Sequence, residues 1–274
     1  DLGKDAFPFM TWKEGLVGGV PARVFRISFT GELSYEVNVQ ADYAMGVMEK
    51  IVAAGKKYNL TPYGTETMHV LRAEKGFIII GQDTDGSVTP DDLNMGWCVG
   101  RTKPFSWIGW RGMNRQDCVR EDRKQLVGLK PLDPNKVLPE GTQLVFDPKQ
   151  PVPMTMVGHV TSSYFSTSMG YSFALALVKG GLKRMGEKVF APLANGTLIE
   201  AEIVSAVFLD PNPLPRGERE LYVHGSDKVA RLDTVVPSPL WGEGQGEGRT
   251  SSRTLIHCPT QNSNGAQSRQ VGDA

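Results

Sequence analysis

The chain lacks net charge: 30 acidic residues balance 30 basic ones over 274 positions. A partner held by phosphate electrostatics is therefore not expected, and nucleic-acid binding is set aside. No apolar run approaches the roughly 20 residues needed to cross a bilayer. The opening Asp1-Leu-Gly-Lys-Asp5 also lacks the form of a signal peptide. The expectation is a soluble, cytoplasmic protein with no membrane contact. Cysteine is scarce, and Cys98, Cys118 and Cys258 are odd in number and far apart. They support neither a disulfide framework nor a zinc site. His69 and His159 fall on separate segments and give no ligand pair, so no metal is expected. Also missing is any Gly-x-Gly-x-x-Gly run that would bind a dinucleotide.

What is present suffices for a folded core, since 40% of the residues are hydrophobic. The most informative stretch is Arg26 to Val39. Phe25, Ile27 and Phe29 alternate before the turn Thr30-Gly31-Glu32, and Tyr35, Val37 and Val39 alternate after it. This pattern predicts a β-hairpin of period two. On its second strand Glu36 and Asn38 face away from Tyr35, Val37 and Val39. Taken alone, Glu36 reads as a solvated residue on the polar side of a strand.

Further along, Asp42 is placed to cap a helix carrying Met45, Met48 and Val52 at helical spacing, widened by Val47 and Ile51, with Gly55 as its left-handed stop. A second helix is predicted over 65–75, ending at Gly76, and Phe77-Ile-Ile-Ile80 as a short buried strand running into the polar loop Gly81 to Gly86. From Gln125 the texture becomes short strands divided by Pro and Gly. The six segments are 126–129, 142–146, 154–160, 173–178, 188–190 and 199–204, a set suited to a small closed or nearly closed β-barrel. Three regions follow: 1–118, a barrel domain over 119–212, and a low-complexity tail over 213–274. The tail is turn-rich and polar, is expected to be disordered, and gives Trp241 and Cys258 no role.

Several fragments together resemble the aminomethyltransferase family, that of the glycine-cleavage T-protein. An aromatic-Thr-Gly-Glu turn precedes the aromatic-Glu pair Tyr35-Glu36. Then come Leu71-Arg-Ala-Glu-Lys-Gly76, Gly81-Gln-Asp-Thr-Asp-Gly86, Thr89-Pro90, Gly96-Trp97, Ile108-Gly109, Leu126-Val-Gly-Leu129, Gly158-His-Val-Thr-Ser-Ser163 and Ala174-Leu-Ala-Leu-Val178, covering roughly residues 5 to 208. Within the family, Met68 to Gly76, Gly81 to Gly86 and Pro90 to Trp97 are most similar to the carboxy-terminal region of sarcosine oxidase alpha subunits.

The resemblance implies an α+β fold: an incomplete folate-binding domain followed by a small jelly-roll-like β-barrel. It also implies tetrahydrofolate as cofactor. Glu36 would accept hydrogen bonds from the pterin ring, because a carboxylate is acceptor-only and matches adjacent N–H and NH2 donors. Trp97 would line the site, Phe29, where several relatives have Tyr, would pack on the ligand, and Asp83 would lie in a ligand-facing turn, a turn that its own side-chain capping explains equally well. Two departures concern the folate tail: Met68 and Leu126 stand where relatives carry arginines, although Arg120, Arg123 and Lys124 lie close by in sequence. The family's acid/base Asp would fall well before residue 1, so no catalytic residue is assigned and the chain reads as a carboxy-terminal piece. FAD and NAD, with the beta and other subunits, would belong to the rest of a parent oxidase that delivers 5,10-methylenetetrahydrofolate from sarcosine. The alternative is a stand-alone folate-binding or aminomethyltransferase-related module without oxidase activity.

Overall fold

A computed structural model describes residues 2–3 and 6–209. The tail expected over 213–274, with Trp241 and Cys258, lies outside the described residues. Two antiparallel sheets and two main helices make up the structure, an α+β arrangement as expected. The first sheet has the order β1-β2-β3, with β1 Trp12–Val17, β2 Val20–Phe25 and β3 Glu36–Val39. Gly18 and Gly19 join β1 to β2 at φ +58° and +83°, the left-handed pair that a two-residue hairpin turn demands. The tip rests on the helix α1, Ala44–Gly55, where Lys50 Nζ donates to the Gly18 carbonyl at 2.6 Å.

The predicted hairpin is present but shifted. Its first strand ends at Phe25, paired with Glu36, and Ile27 and Phe29 lie in the connection 26–35. Arg26 marks the change: its buried side chain donates to the Phe7 carbonyl at 2.6 Å, and its backbone bonds to Met10 and Thr11. The turn at Thr30-Gly31-Glu32 then folds onto the end of the second helix, α2, Thr65–Glu74. Gly31 has φ +78°, and a Cβ there would stand 2.8 Å from Lys75 Cγ. Lys75 Nζ lies 3.2 Å from the Glu32 carboxylate.

The helices also depart from expectation in detail. Asp42 sits in a 3-10 turn, Ala41–Tyr43, and no side chain caps α1. Gly55 is not the left-handed stop: its φ is −75°, and Asn59 at φ +59° ends the following turn. Gly55 is small because the Leu60 side chain occupies the space of its missing Cβ. Met45 is exposed, and Val47 is the side chain that α1 buries. Helix α2 does stop at Gly76, φ +72°.

Residues Phe77 to Ile80 form no strand, because their backbone groups are engaged elsewhere. Arg72 Nη1 donates to the Phe77 carbonyl, Ile79 N–H donates to Asp83 Oδ2, and the Ile79 carbonyl accepts from Gln82 and Asp83. Ile80 projects into solvent. A short helix, α3, Trp110–Met113, follows.

All six predicted barrel segments hold strands: β4 Lys124–Pro131, β5 Gln143–Leu144, β6 Gly158–Ser166, β7 Tyr171–Lys179, β8 Lys188–Pro192 and β9 Leu198–Val204. The third begins later than expected and runs on through Tyr164. The order is β5-β6-β7-β4-β9-β8. Val145 and Phe190 exchange two backbone hydrogen bonds of 2.9 Å, so the two edges of the sheet meet. Val127, Leu129, Leu144, Val160, Val189 and Ile203 fill the interior.

The helical part is fixed to the barrel by buried polar groups. Arg72 and Asp83 are fully buried and meet at 2.6 Å. Asp83 Oδ2 also accepts from Ile79 N–H, and Oδ1 accepts from the hydroxyls of Thr161 and Ser162 on β6. Neighbouring strand residues normally point to opposite faces. A bulge between Val160 and Ser162 lets both hydroxyls reach one oxygen. Arg72 Nη2 donates to Ser162 and Tyr164, and Ser166 donates to Glu74. Removing one member of such a buried pair strands the other charge. Asp83→Ala is expected to cost about 3–5 kcal/mol, read from the denaturant midpoint. The double change Arg72→Met, Asp83→Leu should cost less than the sum of the two singles.

Candidate functional site

In β3 the alternation read from sequence places Glu36 and Asn38 opposite Val37 and Val39. Residues paired across antiparallel strands share a face, so the register carries the Glu36 face across the sheet. Glu36 pairs with Phe25 and Asn38 with Arg23; beyond them Phe25 pairs with Trp12 and Arg23 with Glu14. Contacts agree with this register. The Trp12 and Phe25 rings lie 6.3 Å apart, Arg23 stacks over Trp12 at 4.6 Å, and Arg23 Nη2 donates to Glu14 at 2.8 Å.

Glu36 is half-buried, and its carboxylate has no hydrogen bond or ion pair among the described residues. Both oxygens are free to accept. Phe29 and Trp97 are 42% and 41% exposed, leaving ring surface open for a ligand. Trp97 sits in a 3-10 turn, Gly96–Cys98. No hydrogen bond or ring contact joins Phe29, Glu36 and Trp97 to one another among the described residues. Asp83 belongs elsewhere: it is fully buried and accepts four hydrogen bonds. It fixes the 81–86 loop to the barrel.

Of the tail-site positions, Leu126 is core and Met68 is half-buried. Arg123 is committed to Asp92, which it grips through Nε and Nη2, and also to Asp117 and the Ser87 carbonyl. Arg120 pairs with Asp117 and Asp122. His69 lies 3.7 Å from Glu66. Cys98 and Cys118 are unpaired. No helix among the described residues is long and apolar enough to cross a membrane.

Residues 1–103 match the GCVT N-terminal domain, and residues 124–210 match the Glycine cleavage T-protein C-terminal barrel domain. The chain belongs to the glycine cleavage T-protein family. It is 48% identical over 214 residues to sarcosine oxidase subunit alpha of Corynebacterium sp. (strain P-1), 77% of this chain and 22% of that protein. It is 28% identical over 208 residues to mitochondrial dimethylglycine dehydrogenase of Mus musculus, 74% of this chain and 23% of that protein. The chain thus spans about a fifth of the length of these relatives. The crystal structure of glycine cleavage system aminomethyltransferase T from Bartonella henselae superposes with a TM-score of 0.59 at 23% identity, over 76% of this chain and 54% of that one. That likeness is one of fold.

Within this T-protein family fold, the motif segments Leu71 to Gly76, Gly81 to Gly86 and Gly158 to Ser163 meet in the Arg72–Asp83 interface. Trp12, Arg23 and Phe25, on the Glu36 face, were not anticipated from the sequence. The signal that could have found them is the pair Gly18-Gly19 between two valines, which sets the register of β1 on β2.

His159, on β6, is half-buried. Burial, and secondarily the charge of Lys124, hold its pKa below the usual imidazole value, and Asp85 opposes them. The unfolded chain therefore takes up this proton first. The His159 contribution is flat above the unfolded imidazole pKa of about 6.5, and stability is lost as pH falls below it. His159→Gln is expected to flatten this acid limb in a pH series of denaturant unfolding.

Proposed function

We propose that this chain forms part of a tetrahydrofolate site in a sarcosine oxidase alpha subunit, with residues 1–118 carrying the folate-binding part and 119–212 the barrel. The observation that carries the reading is the half-buried carboxylate of Glu36, which no described residue satisfies. An ionised carboxylate offers acceptors only, and a reduced pterin offers adjacent N–H and NH2 donors to match them. Phe29 and Trp97 supply apolar ring surface of the kind that covers a planar ligand.

When bound, tetrahydrofolate supplies nitrogens that take up a one-carbon unit as 5,10-methylenetetrahydrofolate. Glu36 orients the ring, a proximity effect that replaces a random encounter with a held one. Asp83 acts at one remove, by fixing the 81–86 loop against β6. FAD and NAD, the beta and other subunits, and a cytoplasmic location belong to the complete oxidase in this reading.

Glu36→Gln keeps the shape but turns one acceptor into a donor facing ligand donors. In the complete polypeptide it should weaken tetrahydrofolate binding by about 1.5–3 kcal/mol, roughly tenfold to a hundredfold. Sarcosine oxidation should change little, and product should shift from methylenetetrahydrofolate toward free formaldehyde at limiting folate. An unchanged product ratio with unchanged affinity overturns the reading. Folate binding without any sarcosine oxidation would favour the stand-alone module.

A further inference from the structure

A buried lysine stands behind the connection that carries Phe29 and runs into Glu36. The Lys75 side chain is 4% exposed, and its Nζ lies 3.2 Å from the half-exposed Glu32 carboxylate, off the angle of a hydrogen bond. No other side chain among the described residues answers the ammonium. Folding does not need a charge there, because a well-packed apolar side chain of similar volume often replaces a buried ion pair at no loss of stability. What the lysine supplies is a fixed point. Its stem starts at the end of α2, where the Glu74 carboxylate accepts from Ser166 and the Glu74 carbonyl accepts from Phe208 and Leu209 N–H. It then runs along Gly31, whose absent Cβ would stand 2.8 Å from Cγ and 3.2 Å from Cδ, and reaches Glu32. The same turn is closed from within: the Ser28 and Ser34 hydroxyls meet at 3.4 Å, and Ser34 donates to the Glu32 carbonyl at 3.1 Å. Phe29 follows Ser28, and Glu36 lies two residues beyond Ser34.

We propose that Lys75 is a positioning residue for the pterin ring: through Gly31 and Glu32 it sets the turn over 28–34, and with it the places of Phe29 and Glu36. This assignment rests on the reading of Glu36 above. Arg26, bonded to Phe7 and Met10, pins the connection at its start, and Lys75 pins it at its apex. The stem of Lys75 fills space, while the ammonium holds Glu32 and keeps the turn from swinging into solvent. The charge is the part that packing alone leaves unexplained. A ligand oriented by one carboxylate and one ring is sensitive to either moving, since a misplacement of about 1 Å is enough to lose an oriented contact. One turn of α2 thus presents Arg72 to the barrel and Lys75 to the 28–34 turn, so the barrel interface and the ring site keep a fixed spacing.

The test is titration calorimetry on the complete polypeptide with tetrahydrofolate and with 6-methyltetrahydropterin, which has the ring and no tail, beside a denaturant midpoint for each variant. Lys75→Met keeps the stem and removes the charge. It leaves Glu32 to water, so the midpoint should hold or rise, while both ligands weaken about tenfold at unchanged stoichiometry. A loss of folded protein lowers the stoichiometry instead and leaves the dissociation constant alone. Glu32→Gln should weaken both ligands as well, and the double change should weaken them no further than the larger single effect. Glu36→Gln is the control for the site itself. If Glu36→Gln weakens both ligands and Lys75→Met weakens neither, the Lys75 assignment falls and the Glu36 reading stands. If Lys75→Met weakens tetrahydrofolate but not the tail-less pterin, its action on the ring is overturned. If Glu36→Gln weakens neither ligand, the Glu36 reading falls and the Lys75 assignment falls with it.

Discussion

The Arg72–Asp83 ion pair is the constraint on which the arrangement of the two parts depends. Two opposite charges sit at 2.6 Å with no exposure to solvent, and such a pair is tolerable only when the remaining donors and acceptors are met. Asp83 meets the condition with four accepted bonds, two of them from β6 hydroxyls across the interface. The geometry leaves little slack. A shift of α2 along the barrel would unpair Ser162, Tyr164 and Ser166 together. Apolar packing of Ala73, Leu126, Phe173 and Leu175 adds area around the network, but area alone does not specify register.

A second, separate anchor works on the same principle. Asp92 is buried and accepts from Thr89 as well as from Arg123. Its backbone carbonyl accepts from Leu126 N–H at 2.7 Å. The loop that leads to Trp97 is thereby tied to the first strand of the barrel. Between them the two anchors determine where the loops 81–86 and 89–98 lie, and neither leaves a carboxylate oxygen open for a ligand.

This explains which parts of the sequence could be read. Short apolar runs divided by Pro and Gly located all six barrel strands: β8 and β9 bury alternate side chains, whereas β4, β6 and β7 are buried on both faces and show as continuous runs. That reading failed at Phe77 to Ile80, an apolar run whose backbone is captured by Arg72 and Asp83. Side-chain chemistry at a distance of eleven residues leaves no local trace. Gly55 was misread for a related reason: what it needs is room for Leu60, not a left-handed backbone. At the site, period two separated Glu36 and Asn38 from the valines. It could not bring Arg23 or Trp12 to the same face, because that depends on pairing between strands. Asp83 lay in a loop that had every local mark of a ligand turn, and only its burial shows the tertiary role.

The contrast between the charged groups is the argument for function. Arg72, Asp83, Asp92 and Arg123 are buried and paired, as folding requires of charges removed from water, although Arg72 Nε has no partner. Glu36 and Arg23 are half-exposed, lie on one sheet face, and are unmatched or weakly matched. Folding gains little from leaving them so. Arg23 is accounted for by its cross-strand pair with Glu14 and its stacking on Trp12, whereas the Glu36 carboxylate has no partner among the described residues. The β1–β2 turn, resting on Lys50, and the Thr30 to Glu32 turn, packed on Lys75, tie the ends of the sheet to α1 and to the end of α2.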